Sequence, residues 1–301
     1  MLLAPFGQSL VKKMADFVIC TDSACDLGAS TLEELGVPSI DLTFRFDGEE
    51  REYANSEMQI GAFYERMRKG GVAKTAAVNS ESFIEKFSEI LDTGADILYL
   101  GFSSGLSTTF NSSRIAAGIL KDKYPERKIE IVDTLCASAG EGLMVYLAVE
   151  KKREGASLEE VKDYVTELIP KLCHWFTVDD LVYLKRGGRV SPAVAFVGNL
   201  LGIKPVLHVD NEGHLVNVLK ARGRKNAVMS LAEKYAETAL DKKSGTVFIS
   251  HADCDADAEL LARTLEEKHG VKVKNVSHIG PVIGAHAGPG TLALFFVGSE
   301  R

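Results

Sequence analysis

Seven hydroxyl residues crowd one stretch of the chain, Ser103, Ser104, Ser107, Thr108, Thr109, Ser112 and Ser113, where an apolar run gives way to a helical pattern. At such a turn the first helical amides lack intrahelical acceptors and the positive end of the helix dipole lies close by. Uncharged donors gathered there suit a single carboxylate or phosphate. Capping of the helix by one serine is the plainer reading, but it needs only one or two hydroxyls. The same residues spell Gly101-Phe102-Ser103-Ser104-Gly105, the G-x-S-x-G of a nucleophile elbow. A triad would then combine Ser103 with one of Asp179, Asp210 or Asp253 and with His286. No histidine precedes His174, so an H-G-G oxyanion loop upstream of Ser103 is missing. The expectation is anion binding, with a serine hydrolase or esterase as the alternative.

Two further stretches carry chemistry. Ile279 to Gly290 holds four glycines and two prolines, which predicts a rigid, closely approached loop, with His286 its one titratable group and a donor for a carboxylate. Asp180 to Ser191 reads as a strand running into the basic glycine turn Lys185-Arg186-Gly187-Gly188-Arg189. Lys204-Pro205 and Arg222-Gly223-Arg224-Lys225 accompany it. Guanidinium groups beside glycine turns suit bidentate phosphate contact. Asp22-Ser23, after the first strand, reads equally as a turn, a cap or a ligand contact.

Charge supports an anionic partner locally and opposes one globally. From Lys185 to Lys225 eight cations face two acids, a balance of +6 in a chain of −7. That reversal marks a footprint for an anion or acidic partner, whereas the remainder argues against nucleic acid. The dipeptide Gly-Lys, G-x-G-x-x-G and H-E-x-x-H are all absent, which excludes the Walker A loop, the dinucleotide fingerprint and the zincin motif. Five scattered cysteines without a C-x-x-C or zinc-type pairing read as reduced cytoplasmic thiols, with no metal or cofactor implied. No apolar stretch reaches the roughly 18 residues that span a bilayer. Residues 1–16 read as an extension that precedes the folded part.

The elements that must position these groups alternate as in a parallel α/β layout. Strands are expected at Phe17 to Cys20, Asp96 to Gly101 and Ile129 to Val132. Helices are expected at Thr31 to Leu35, Ser103 to Tyr124 and Ala137 to Arg153. Asp47-Gly48 predicts a small hairpin insertion between Leu42 to Phe46 and Arg51 to Tyr53. A helix capped by Ser157 with Glu160 opens the second half, and the domain boundary is placed there, giving domains 17–158 and 159–301. Beyond it come strands at His174 to Asp179 and Leu181 to Leu184, a helix near Ser191 to Leu201, and a hairpin of Val206 to Val209 with Leu215 to Leu219. Helix Arg224 to Leu240, strand Thr246 to Ser250, helix Asp255 to His269, strand Val271 to Val276 and the central apolar strand Thr291 to Val297 complete it. The fold class is α/β, with a mainly parallel first sheet covered by helices on both faces and a mixed or antiparallel second sheet with helices.

Five motifs in order, Thr21 to Leu27, Ser103 to Ser107, Tyr183 to Arg189, Arg222 to Lys225 and Ile279 to Gly290, resemble the DegV family. The resemblance implies two α/β domains with a long-chain fatty acid buried between them. It also implies the role of the binding subunit of a bacterial fatty acid kinase, a non-enzymatic carrier. Such a subunit hands its acid to an ATP-binding kinase subunit that makes an acyl phosphate, with a phosphate acyltransferase downstream. By that resemblance Thr75, Ser104 or Ser107, and His286 stand near the carboxylate, with Ser103 and Gly284 beside them. Arg189 and Arg222, with Lys204 and Arg224, face the transferred phosphate or the kinase. Members commonly read Lys-Thr-Ser-Gln-Pro where this chain has Lys74-Thr75-Ala76-Ala77-Val78, so a single hydroxyl survives, and Thr108 replaces a usual glycine.

Overall fold

The structure, a computed structural model, describes residues 16–190 and 202–301. The expected helix near Ser191 to Leu201, and all but the last residue of the expected extension 1–16, lie outside the described residues.

β6 (Asp96–Gly101) is buried along its whole length, because its two faces are covered by different helices. Ile97 and Tyr99 meet Phe83 and Phe87 of α3 (Ser80–Leu91) and Ala116 and Leu120 of α4 (Thr109–Lys123). Leu98 and Leu100 meet Leu143 and Met144 of α5 (Ala139–Arg153). A strand apolar at nearly every position is what such double cover requires. With β1 (Phe17–Asp22), β2 (Ser39–Ile40) and β7 (Ile129–Asp133) it forms a parallel sheet in the order β2-β1-β6-β7.

The second sheet has the order β10-β9-β8-β13-β11-β12. Its strands are β8 (Leu172–Thr177), β9 (Ile203–Val209), β10 (Leu215–Arg222), β11 (Val247–His251), β12 (Val273–His278) and β13 (Leu292–Val297). Only β11 and β12 pair in parallel, so the sheet is mixed, and β13 lies inside it between β8 and β11. Trp175, Leu294 and Phe296 face α8 (Arg224–Thr238) and α9 (Asp255–His269). Phe176, Ala293 and Phe295 face the opposite way, toward α5.

α5 is therefore packed between the two sheets. Its buried residues include both Gly140 and Gly142, and apolar cover on all sides is expected of a helix in that place. A side chain on Gly140 would run into His174 and Phe295, and one on Gly142 into the Cys25 carbonyl and Leu27. Glycine lets the helix approach both neighbours. α6 (Leu158–Leu168) follows, with the expected reciprocal cap between Ser157 and Glu160.

The expected hairpin is present, β3 (Thr43–Phe46) pairing with β4 (Tyr53–Ala54), and β5 (Ala73–Ala76) adds a third strand on the other side of β3. Phe44 packs there edge-on and Phe46 tilted against Phe63, which meets Tyr64 edge-on, both on α2 (Ile60–Arg68).

Three expectations require correction. The helix expected from Ser103 begins at Thr109, because the hydroxyls and carbonyls of residues 103 to 108 take the local amides into turns first. Leu181 to Leu184 is not a strand: Asp180 accepts the Val182 amide and a short helix, α7 (Val182–Arg186), follows. Ile279 to Gly290 is not a loop throughout, since Pro281 occupies the first position of α10 (Pro281–Ala287), where its missing amide costs nothing.

Candidate functional site

β1 and β6 are neighbours whose onward connections run to opposite edges of the sheet, which makes the gap beyond their carboxyl ends a topological switch point. The second sheet covers that gap. Between them lies a cavity of about 460 Å³, within the range of small-molecule sites. Leu42, Phe102 and Leu106 line it from the first half, and Phe176, Val282 and Phe295 from the second.

Within this apolar wall stand Thr75, Ser104, Ser107 and His286, together with Arg189, which was expected at the phosphate or the kinase. β5 carries Thr75 and α10 carries His286, and the Thr75 Oγ1 to His286 Nε2 distance is 2.8 Å. Burial first, and then the nearby Arg189 cation, push the imidazole down to about 4, so the ring is neutral near pH 7. The pair then holds two protons on Thr75 Oγ1 and the ring, and uses one between them. His286 Nδ1 is buried against Gly187 without a partner among the described residues. A bare lone pair there is less costly than an orphaned N–H, which favours the tautomer with the proton on Nε2. Thr75 is left with its O–H to donate.

Arg189 is half-buried, with Nε donating to the Leu106 carbonyl at 3.1 Å and Nη1 to the Gly187 carbonyl at 2.5 Å. These bonds hold a cation beside His286 in the cavity wall. Ser107 Oγ lies 3.0 Å from Thr109 Oγ1, and exposed Ser104 donates its amide to Asp133 at 3.2 Å.

The expected amide cradle at Gly101 to Gly105 is not formed. The amides of Phe102, Ser103, Ser104, Gly105, Leu106 and Ser107 are all engaged within the protein. Ser103 is wholly buried, takes the Gly105 amide and donates to the Gly213 carbonyl at 3.0 Å, so it ties the serine turn to the β9–β10 hairpin. No histidine is among its partners, and it lies outside the cavity wall, which removes the geometry of a nucleophile elbow.

Four other expected positions also lie outside the wall. A side chain on Gly284 would collide with the Tyr64 hydroxyl and with Phe63, so its role is the close seating of α10 on α2. Lys204 pairs with Asp179, and Arg224 with Asp257 and Asp179. Arg222 is exposed at the end of β10, without an ion pair among the described residues. Asp22 proves to be a cap, accepting the Ala24 amide, the Tyr99 hydroxyl at 2.6 Å and the Phe102 amide.

Sequence reasoning missed Ser138 and His174, which line the cavity, and Asp26, which holds Ser138. Asp26 joins the two halves, with Oδ2 accepting from Ser138 at 2.5 Å and Oδ1 from the Gly280 amide at 2.9 Å. Ser138 in turn lies 3.0 Å from Ser250. Burial raises the Asp26 carboxyl to about 7, and also raises Asp22 and Glu141. Ser138 follows β7, at the carboxyl edge of the sheet, and that placement was the available signal.

Residues 16–299 match the family model described as "Uncharacterised protein, DegV family COG1307". A DegV domain-containing protein of Clostridium perfringens is 45% identical over 289 residues, covering 96% of this chain and 99% of that one. A fatty acid-binding protein of Thermotoga maritima is 35% identical, covering 94% of this chain and 98% of that one. Among solved structures, a DegV lipid binding protein from Thermotoga maritima superposes with a TM-score of 0.83 at 33% identity, over 95% of this chain and 99% of that one. A DegV family protein from Thermus thermophilus, described with its fatty acid binding, superposes with a TM-score of 0.84 at 31% identity, over 94% and 99%.

Proposed function

The chain belongs to the DegV family, and from that premise we propose that it buries a long-chain fatty acid between two domains, 17–158 and 159–301, and presents the carboxylate to a partner kinase. The observation that carries this reading is the cavity of about 460 Å³, apolar over most of its wall and polar at the Thr75, His286 and Arg189 cluster. A sixteen-carbon acid brings about fifteen methylene or methyl groups, worth roughly 0.8 kcal/mol each on burial, or about 12 kcal/mol gross. Ordering and association costs reduce that sum. The Thr75 hydroxyl and Arg189 supply a donor and a charge for one carboxylate, while Ser104 and Ser107 flank them.

The chain itself supplies no catalytic residue and no cofactor in this reading. It has neither a Walker A loop nor a G-x-G-x-x-G, so in this reading an ATP-binding subunit forms the acyl phosphate and a phosphate acyltransferase consumes it. Arg222, exposed at the end of β10, faces that partner. The setting is the cytoplasm; among the described residues no helix is long and apolar enough to cross a membrane.

Solvent extraction and mass spectrometry of the purified protein test the proposal, with a fatty acid expected in near-stoichiometric amount. Protein that carries no lipid and takes up no added long-chain acid would overturn it.

A further inference from the structure

On the face of the second sheet covered by α9, three metal-ligating side chains converge. His251 ends β11, His278 ends β12, and the two are register partners on neighbouring parallel strands, with ring centroids 4.6 Å apart. Asp255 opens α9, four residues after His251, with its Oδ1 3.8 Å from His251 Nε2. The ligating atoms of the three all lie within 4.8 Å of one another. His251 is only 5% exposed in its side chain, and its Nε2 makes no hydrogen bond among the described residues. Two imidazoles and a carboxylate brought together from two strands and a helix, with ligating atoms this close, point to a ligand.

We propose that His251, Asp255 and His278 form a divalent transition-metal site, of the zinc class, independent of the lipid cavity. Two imidazoles and one carboxylate are a donor set that zinc accepts, with the fourth position left to water. Tetrahedral bonds of about 2.0–2.2 Å bring ligand atoms to roughly 3.3–3.5 Å from one another. Side-chain rotation of Asp255 and His278, both exposed, closes the difference. The ion enters at His251 Nε2 in the tautomer with its proton on Nδ1, which gives up the 3.3 Å bond from the Cys254 amide. That cost makes the site one of moderate affinity. Arg68 does not compete, because it is paired with Asp253.

A bound ion would tie the start of α9 to the end of β12. The next residue is Ile279, whose amide donates to the His251 carbonyl at 2.8 Å and whose side chain lines the cavity.

Titration of metal-stripped, tag-free protein with Zn²⁺ by calorimetry tests the site, with Co²⁺ absorption as a second readout. One equivalent should bind, and Co²⁺ should give the intense visible bands of a four-coordinate ion. Since Asp255 and His278 are exposed, Asp255→Asn and His278→Ala should fold normally and weaken Zn²⁺ binding at least tenfold. Unchanged affinity in both variants, or octahedral Co²⁺ spectra in the wild type, would overturn the proposal. Lipid content measured on the same samples should be unaltered by stripping, which separates this site from the fatty-acid reading.

Discussion

At the scale of single residues, the assignments divide into groups that meet the cavity and groups that hold its frame. Thr75 keeps one O–H to donate, so Thr75→Ala, with His286 intact, should lower retention of a fatty acid by about 1 kcal/mol, the net worth of one hydrogen bond. Competition dialysis against a labelled acid measures it. Ser103 belongs to the frame. Ser103→Ala should cost about 1–2 kcal/mol in chemical denaturation, because the part-buried Gly105 amide and the buried Gly213 carbonyl lose their partner. A fluorophosphonate probe should leave Ser103 unlabelled in the wild type; stoichiometric labelling would restore the hydrolase. Asp26 gives a pH signature. Its carboxyl is raised from 3.8 to about 7, so between those values the folded state holds a proton that the unfolded chain releases. Stability from this group is therefore full at low pH and falls as pH rises toward 7. Asn at this position keeps an oxygen for Gly280 and an amide for Ser138. Asp26→Asn should thus remove up to about 1.4 kcal/mol per pH unit of that decline. Urea melts of both proteins at pH 5, 6 and 7 decide it, since His286, whose depressed pKa gives the opposite slope, is common to both.

At the scale of elements, α10 shows how a helix can escape a reading by composition. Its four-glycine setting suggested a loop, yet Pro281 at the first position and Gly288 with φ of 82° just past the end are the ordinary start and stop of a helix. Gly284 then allows α10 to seat on Tyr64, whose hydroxyl donates to the Ile279 carbonyl at 2.7 Å. Gly284→Ala should cost about 1–3 kcal/mol through overpacking, in spite of the better helix propensity of alanine. Equal or higher stability in thermal melts would show that α10 can shift freely. α7 escaped for a different reason, because Val182 and Tyr183 favour strands locally while the Asp180 turn and packing on α10 favour a helix. By contrast β6, the Ser157 cap and the Asp47-Gly48 hairpin were legible, each resting on contacts within a few residues or on strict burial. The site was half legible. Thr75, Ser104, Ser107, Arg189 and His286, which line the cavity, were named through the family resemblance and its motifs, whereas Ser138, His174 and Asp26 meet only through residues 112 or more positions away, or across sheets.

At the scale of the whole molecule, the cavity has walls from both sheets, so a ligand bound in it would help to hold them together. The direct polar ties across that seam include Asp26 to Gly280, Ser138 to Ser250 and Ser103 to Gly213. A lipid that binds only the folded chain adds stability as RT ln(1 + [L]/Kd), about 2.7 kcal/mol at a hundredfold excess over Kd. For a chain of this size each kcal/mol raises Tm by about 2 °C, so saturation with a long-chain acid should raise Tm by about 5 °C. The same arithmetic identifies where the acid sits. Ala293 in β13 is the register partner of Phe176, and both line the cavity. Ala293→Phe should fill that space, leaving the delipidated protein folded and its Tm unresponsive to added lipid. An equal lipid-induced rise in the variant would place the acyl chain elsewhere on the surface, and no rise in the delipidated wild type would remove the lipid from the fold altogether.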